Sequence, residues 1–343
     1  MSAQLTMKAN LNAPGMRATF LAALLLMGCA STEAPAPTGL HPQTLSELRR
    51  TVAAPGKRPT VALVLGGGGL RGFAHVGALQ ALEEAGVRPD IVVGTSAGSV
   101  VGAAYASGLS VEKIRQAALD VKVSSLLDFT WQSGGFIRGD NLASWVNTVI
   151  GDTRIENFPI RFAAVATDLQ SGQPLLLAHG YAGRAIQASS AVPGVQLPVS
   201  YAGGSLVDGG VTSLVPVRFA RAMGADVVIA VDIYCQSLRT AALTVPSVLG
   251  KVMHTQSCLI AAPEMAEADV LVAPVVDVPS MSDRASQVMA MDVGYRATRR
   301  ALANWRSTAA DPLCSPTPAS ACQASKGHED HSGSRMSSSA AGD

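Results

Sequence analysis

With 343 residues and 48% hydrophobic content, the chain has material for one large α/β core or two modest ones. A formal net charge of +1 and 15% charged residues supply no basic surplus to neutralise phosphates, which excludes nucleic acid as a partner.

In chain order, Lys8 and Arg17 precede the apolar run "FLAALLLMGCA", far shorter than the roughly 20 residues a bilayer-spanning helix needs, so the segment reads as a secretory signal. Leu26-Met27-Gly28-Cys29 resembles the lipobox of bacterial lipoproteins, in which the cysteine is lipidated and becomes the first residue of the mature chain. That resemblance implies a signal peptide over residues 1–28 and a lipid anchor to the membrane at Cys29. Ala30 and Ser31 follow the cysteine where an Asp would alter sorting, which in the same resemblance implies an exported protein sorted to the outer membrane, with the periplasmic face as the expected side. Residues 29–59 are rich in Pro, Thr and Ala without an apolar period and read as a flexible tether. The folded domain is expected over residues 60–307, and the polar, low-complexity stretch 308–343 reads as a disordered tail.

Within the domain, short apolar runs alternate with helical stretches: "VALVL", "IVVG", "FAAVATDL", "VVIAVDI" and "DVLVAP" are strand-like. All but one are nearly continuously apolar, as strands buried on both faces must be, so the fold class is α/β with a mainly parallel sheet between helical layers. Helices are expected over residues 72–85, 97–107, 111–120, 183–191, 217–223, 245–261 and 285–305, that over 245–261 as part of the core. Cys235, Cys258, Cys314 and Cys322 allow two disulfides in an exported protein, but their scatter selects no pairing and matches no zinc spacing.

The first strand runs into "GGGGLRG" and then a small-residue helix. Backbone N–H groups at such a turn attract negative charge, either a dinucleotide pyrophosphate, since Gly67, Gly69 and Gly72 satisfy G-x-G-x-x-G, or the oxyanion of an ester under attack. A dinucleotide site would need an acidic residue at the end of "IVV", where Gly94-Thr95-Ser96 stands instead. That segment, "GTSAG", matches the G-x-S-x-G elbow, whose serine sits on a strained strand-to-helix turn between glycines 94 and 98. Two adjacent parallel strands would place the N–H groups of Gly67, Gly68 and Gly69 opposite an ester held at Ser96. For the base, Asp208 ends a short apolar run before Gly209 and Gly210, while Ser96, Asp232 and His254 follow the chain order of an α/β-hydrolase triad. His75 reads as a packing residue, and Arg71 as either a loop arginine or a phosphate contact.

The ordered set "GGGGLRG", "GTSAG" and "DGG", with "ASSAVPGVQLPV" between the last two, resembles the patatin-like phospholipase family over residues 61–233. The resemblance implies a three-layer fold, a Ser96–Asp208 dyad without histidine, an oxyanion hole at Gly67–Gly69, and motif glycines at Gly72, Gly94, Gly98, Gly209 and Gly210. It implies hydrolysis of phospholipids, lysophospholipids or related acyl esters; neither carboxylate clusters nor His/Cys spacings suggest a metal or organic cofactor. A lipid-binding envelope lipoprotein that keeps the fold without the activity is the alternative outside the hydrolases.

Overall fold

The computed structural model describes residues 39–48, 58–132, 134–237, 243–277 and 283–308. The predicted signal peptide, Cys29, Cys314 and Cys322 lie outside them. Four strands buried on both faces, β1 (Val61–Leu65), β2 (Ile91–Thr95), β5 (Arg161–Asp168) and β9 (Val227–Val231), and an edge strand β10 (Val270–Val272), exposed at Leu271, form the parallel part of the sheet, in the order β10-β9-β1-β2-β5. Side chains alternate between the layers. Leu63, Leu65 and Val92 join one apolar cluster, and Ala62, Val64 and Val93 the other.

The first layer contains α1 (Phe73–Glu84), α2 (Ala97–Ala106), α3 (Val111–Asp120), α4 (Asp140–Ile150), α5 (Ala182–Ser189) and α8 (Arg284–Thr308). The second is thinner, formed by α6 (Val217–Ala222) and the C-terminal end of α7 (Val245–Met265). The expected helices are thus present within a few residues of their predicted ends.

Four features depart from the sequence reading. Beyond β5 the sheet turns antiparallel: β8 (Gly204–Asp208) pairs with β5, β7 (Val199–Tyr201) with β8, and β6 (Pro174–Leu177) also with β5. A hairpin of β3 (Phe129–Gln132) and β4 (Gly135–Ile137) leads into α4, which sequence reading missed. Its cap is remote in sequence, because the Asp128 carboxylate accepts the N–H groups of Gly139, Asp140 and Asn141 at 2.7, 2.8 and 3.1 Å. Part of the stretch read as a tether also packs on the domain. Leu40 is buried, and Gln43 exchanges backbone hydrogen bonds of 2.9 and 2.8 Å with Leu176. Finally, α7 is not core along most of its length. Leu249 and Leu259 are 58% and 70% exposed, and only His254, Ala261, Glu264 and Met265 are buried. A Cys235–Cys258 disulfide fastens this helix to the segment after β9.

Helices α1 and α8 cross at glycines. A Cβ on Gly77 would overlap the Met291 carbonyl, and one on Gly294 the Ala74 carbonyl. Overpacking at such a contact costs about 1–3 kcal/mol, or roughly 2–4 °C in midpoint per kcal/mol at this size. Gly294→Ala should therefore lower the midpoint of a circular-dichroism melt by several degrees. Gly250→Ala, in α7 with open space around the new methyl, should not lower it.

Candidate active site

Ser96 stands between β2 and α2 with φ 51° and ψ −122°, the one non-glycine residue with positive φ among the described residues. Such a conformation costs on the order of 1–3 kcal/mol and persists only where its surroundings impose it. Here they do. A Cβ on Gly94 would lie 2.5 Å from the Gly98 carbonyl oxygen, and one on Gly98 would overlap the Leu65 carbonyl, so the turn closes only with glycine at both places. The Ser96 N–H donates to Ser189 Oγ at 2.9 Å, and Ser189 Oγ donates to the Val165 carbonyl at 2.6 Å. The Ser96 carbonyl accepts from Ser99 N–H and Ser99 Oγ at 2.8 and 2.7 Å.

The glycine loop is tied down from three sides. Gly66 N–H donates to Val231 O at 2.9 Å, and the Gly66 carbonyl meets His75 Nε2 at 2.8 Å. Full burial drives the His75 pKa down to about 4, so a neutral imidazole holds that carbonyl at pH 7. His75 is a packing and loop-fixing residue, as expected. Gly67 differs from expectation, since its N–H donates to Leu214 O at 3.0 Å and is not free for an oxyanion. Its lack of a side chain serves proximity instead, because a Cβ there would sit 3.4 Å from that of Ser96. Gly68 and Gly69 keep N–H groups without a protein acceptor among the described residues, and Gly69, with φ 58°, lines the cavity beside Ser96. Gly72 also lines it, packed toward Ala97. Arg71 points elsewhere. Its Nε donates to Val276 O at 3.1 Å and its guanidinium lies over the Tyr234 ring.

Asp208 reaches Ser96 through the sheet register. Thr95 pairs with Val165 on β5, and the next β5 residue, Ala166, pairs with Asp208 on β8. Asp208 is buried, its N–H donates to Ala191 O at 2.9 Å, and Oδ1 accepts Gly210 N–H at 2.7 Å. A Cβ on Gly209 would overlap the Val165 carbonyl, which explains the glycine after the aspartate. Burial raises the Asp208 pKa from the usual 3.8 to about 6, and hydrogen bonds from the Ser96 hydroxyl and the Gly210 N–H offset only part of that rise.

The alternative triad is not assembled. Asp232 is buried and accepts the N–H groups of Tyr234 and Cys235 at 2.9 and 3.1 Å, while His254 packs at a tilt against the Tyr234 ring, 4.6 Å between centroids. Neither lines the Ser96 cavity. Among the described residues no group of three or more His, Cys, Asp or Glu side chains is placed to hold a metal ion.

Ser96 opens into a cavity of about 300 Å³ between α2, α3 and α4. Its walls are largely apolar, including Val100, Ile114, Ala117, Trp145 and Val149, and apart from the Trp145 indole N–H its polar side chains are those of Ser96, Ser190 and Gln196. No residue of α7 contributes.

Residues 63–221, which hold the glycine loop, the elbow and Asp208, match the family model for patatin-like phospholipase. The chain carries a patatin-like phospholipase domain. Its relatives include lysophospholipase NTE1 of Saccharomyces cerevisiae, 37% identical over 186 residues, 52% of this chain and 11% of that protein. Lysophospholipase nte1 of Aspergillus fumigatus is 37% identical over 179 residues, 50% of this chain and 12% of that protein. An NTE family protein of Mycobacterium tuberculosis is 38% identical over 177 residues, 51% of this chain and 49% of that protein. The chain therefore spans a small part of the fungal relatives and about half of the mycobacterial one. The fold of VipD from Legionella pneumophila is similar, with a TM-score of 0.51 at 12% identity over 82% of this chain and 73% of that one.

The raised Asp208 pKa fixes the sign of a stability effect. The neutral carboxyl is favoured on folding, so its contribution is complete below about pH 3.8 and is lost as pH rises through about 6. Asp208→Asn, which cannot ionise, should exceed wild type by up to about 3 kcal/mol in urea unfolding at pH 8 and by almost nothing at pH 3. An equal effect at both pH values would show that the carboxylate is not strained by burial.

Proposed function

We propose that the protein is a serine acyl hydrolase acting on phospholipids, lysophospholipids or similar amphiphilic acyl esters through Ser96 and Asp208. The observation that carries this reading is a strained serine, hydrogen-bonded to a buried carboxylate, at the head of an apolar cavity. An acyl chain occupies the cavity, which places its ester carbonyl at Ser96 Oγ and the carbonyl oxygen toward the free N–H groups of the glycine loop. Each well-placed donor lowers the barrier by roughly 3 kcal/mol. Asp208 takes the Ser96 proton as Oγ attacks and returns it to the departing alcohol, and water then repeats the sequence on the acyl-enzyme. A carboxylate near its ordinary pKa is a weak base toward a hydroxyl, so a value near 6 suits it to the task. The fungal relatives that carry the name lysophospholipase support a lipid ester as the substrate.

Removing either member of the dyad, in Ser96→Ala or Asp208→Asn, should cost at least about 10³-fold in kcat/KM for fatty-acid release from mixed micelles. His254→Ala should remain within a few-fold of wild type. A fluorophosphonate should label wild type and not Ser96→Ala. In the same assay Ala117→Phe, which fills the cavity, should depress long-chain esters far more than short-chain ones. Full activity of Asp208→Asn would sink the dyad, and failure of wild type to react with ester or probe would leave a lipid-binding protein.

The proposal extends to location: lipidated at Cys29 and anchored at the outer membrane, the domain would meet its substrate at high effective concentration. Among the described residues no helix is long and apolar enough to cross a membrane. Cys29→Ser should release the protein from the membrane fraction and abolish incorporation of labelled palmitate. Unchanged membrane retention would refute the anchor.

A further inference from the structure

The segment Ser189-Ser190-Ala191 bridges the two proposed catalytic residues. Ser189 Oγ accepts the Ser96 N–H at 2.9 Å, and the Ala191 carbonyl accepts the Asp208 N–H at 2.9 Å. Ser190, between them, lines the same cavity as Ser96. Its backbone is fixed, since its N–H donates to the Ile186 and Gln187 carbonyls at 2.9 and 3.2 Å. Its side chain is not. The residue is 9% exposed, and its hydroxyl oxygen is buried without a protein partner. Most buried hydroxyls find a partner within the protein, so one that does not, at the wall of a site, marks a place where a ligand supplies it.

The remaining geometry indicates which part of the ligand this is. The apolar walls take the acyl chain, and the N–H groups of Gly68 and Gly69 are the donors left for the carbonyl oxygen. The alcohol side of the ester is left for the direction of Asp208, and among the polar residues of the cavity Ser190 is the one tied to it through the chain, next to Ala191, whose carbonyl accepts the Asp208 N–H. We propose that the Ser190 hydroxyl is a substrate contact that donates a hydrogen bond to the leaving oxygen of the acyl ester. This rests on the hydrolase reading given above. As the bond between the carbonyl carbon and the leaving oxygen breaks, that oxygen accepts the proton Asp208 took from Ser96, and the Ser190 hydrogen bond stabilises its charge until the transfer is complete. Ser190 itself loses no proton.

The contact matters only where the leaving group is a poor one. In full-length protein, Ser190→Ala should reduce kcat/KM for lysophosphatidylcholine, which releases an alkyl alcohol, on the order of tenfold. Hydrolysis of p-nitrophenyl butyrate, whose leaving oxygen departs as a stable anion, should stay within about twofold by the same energetics. The melting midpoint should not fall, because no protein hydrogen bond is removed. Ser189→Ala provides the contrast, expected to slow both esters and to lower the midpoint. An equal loss on both esters for Ser190→Ala, no loss on either, or a lowered midpoint would overturn the inference while leaving the hydrolase reading intact. If wild type turns over neither ester, the hydrolase reading fails and takes the inference with it.

Discussion

The site depends on one sheet register: Thr95 opposite Val165, and Ala166 opposite Asp208. A slip of one residue would turn Asp208 to the other face of the sheet and put the carboxylate out of reach of Ser96. The register is held by the alternation of β5, where Phe162, Ala164 and Ala166 face one layer and Ala163 and Val165 the other. Hydrogen bonds at the site itself reinforce it. Thr167 Oγ1 donates to the Asp208 carbonyl at 3.0 Å, and Ser189 Oγ joins the Val165 carbonyl to the Ser96 N–H. The reversal from parallel to antiparallel pairing after β5 thus sets the geometry of the candidate site, since it brings the end of β8 from late in the chain to the C-terminal end of β5, opposite Ala166.

Against this frame the site is locally unfavourable. Ser96 occupies a backbone region that L residues avoid, Asp208 is a carboxylate held out of water, and Ser190 has a buried hydroxyl without a protein partner. Two fully buried apolar clusters on either side of the sheet offset these costs. These three features lie together around Ser96, which is the distribution expected when strain is retained for function.

Sequence carried much of this, for identifiable reasons. Continuous apolar runs gave the parallel strands, and the glycine spacing around Ser96 gave the elbow because no other residue clears Leu65 and Gly98. Asp208 was recognisable through the glycines that follow it. What was illegible depended on partners distant in the chain. Helix α4 begins under a cap from Asp128, the short strands β6 to β8 are specified by pairing with β5, and Gly67 is engaged by Leu214. The pairing of Cys235 with Cys258 required knowing that α7 folds back toward the segment after β9. Helix α7 was misread because its apolar content suggests burial while the structure exposes most of it.

The helix that sequence reading missed completes the cavity. Without Leu142, Trp145, Val146, Val149 and Ile150 from α4, the side of α2 facing away from the sheet would be open to water, and Ser96 would stand at a groove. Enclosure would serve the proposed chemistry twice. An acyl chain gains free energy in proportion to the apolar surface it removes from water, and donors at the carbonyl act more strongly where water is excluded. The Asp128 cap is therefore linked to the shape of the cavity through α4, although Asp128 itself is not part of the cavity wall. The apolar face of α4 and the polar cap that starts it come from different parts of the chain, and only the folded protein joins them.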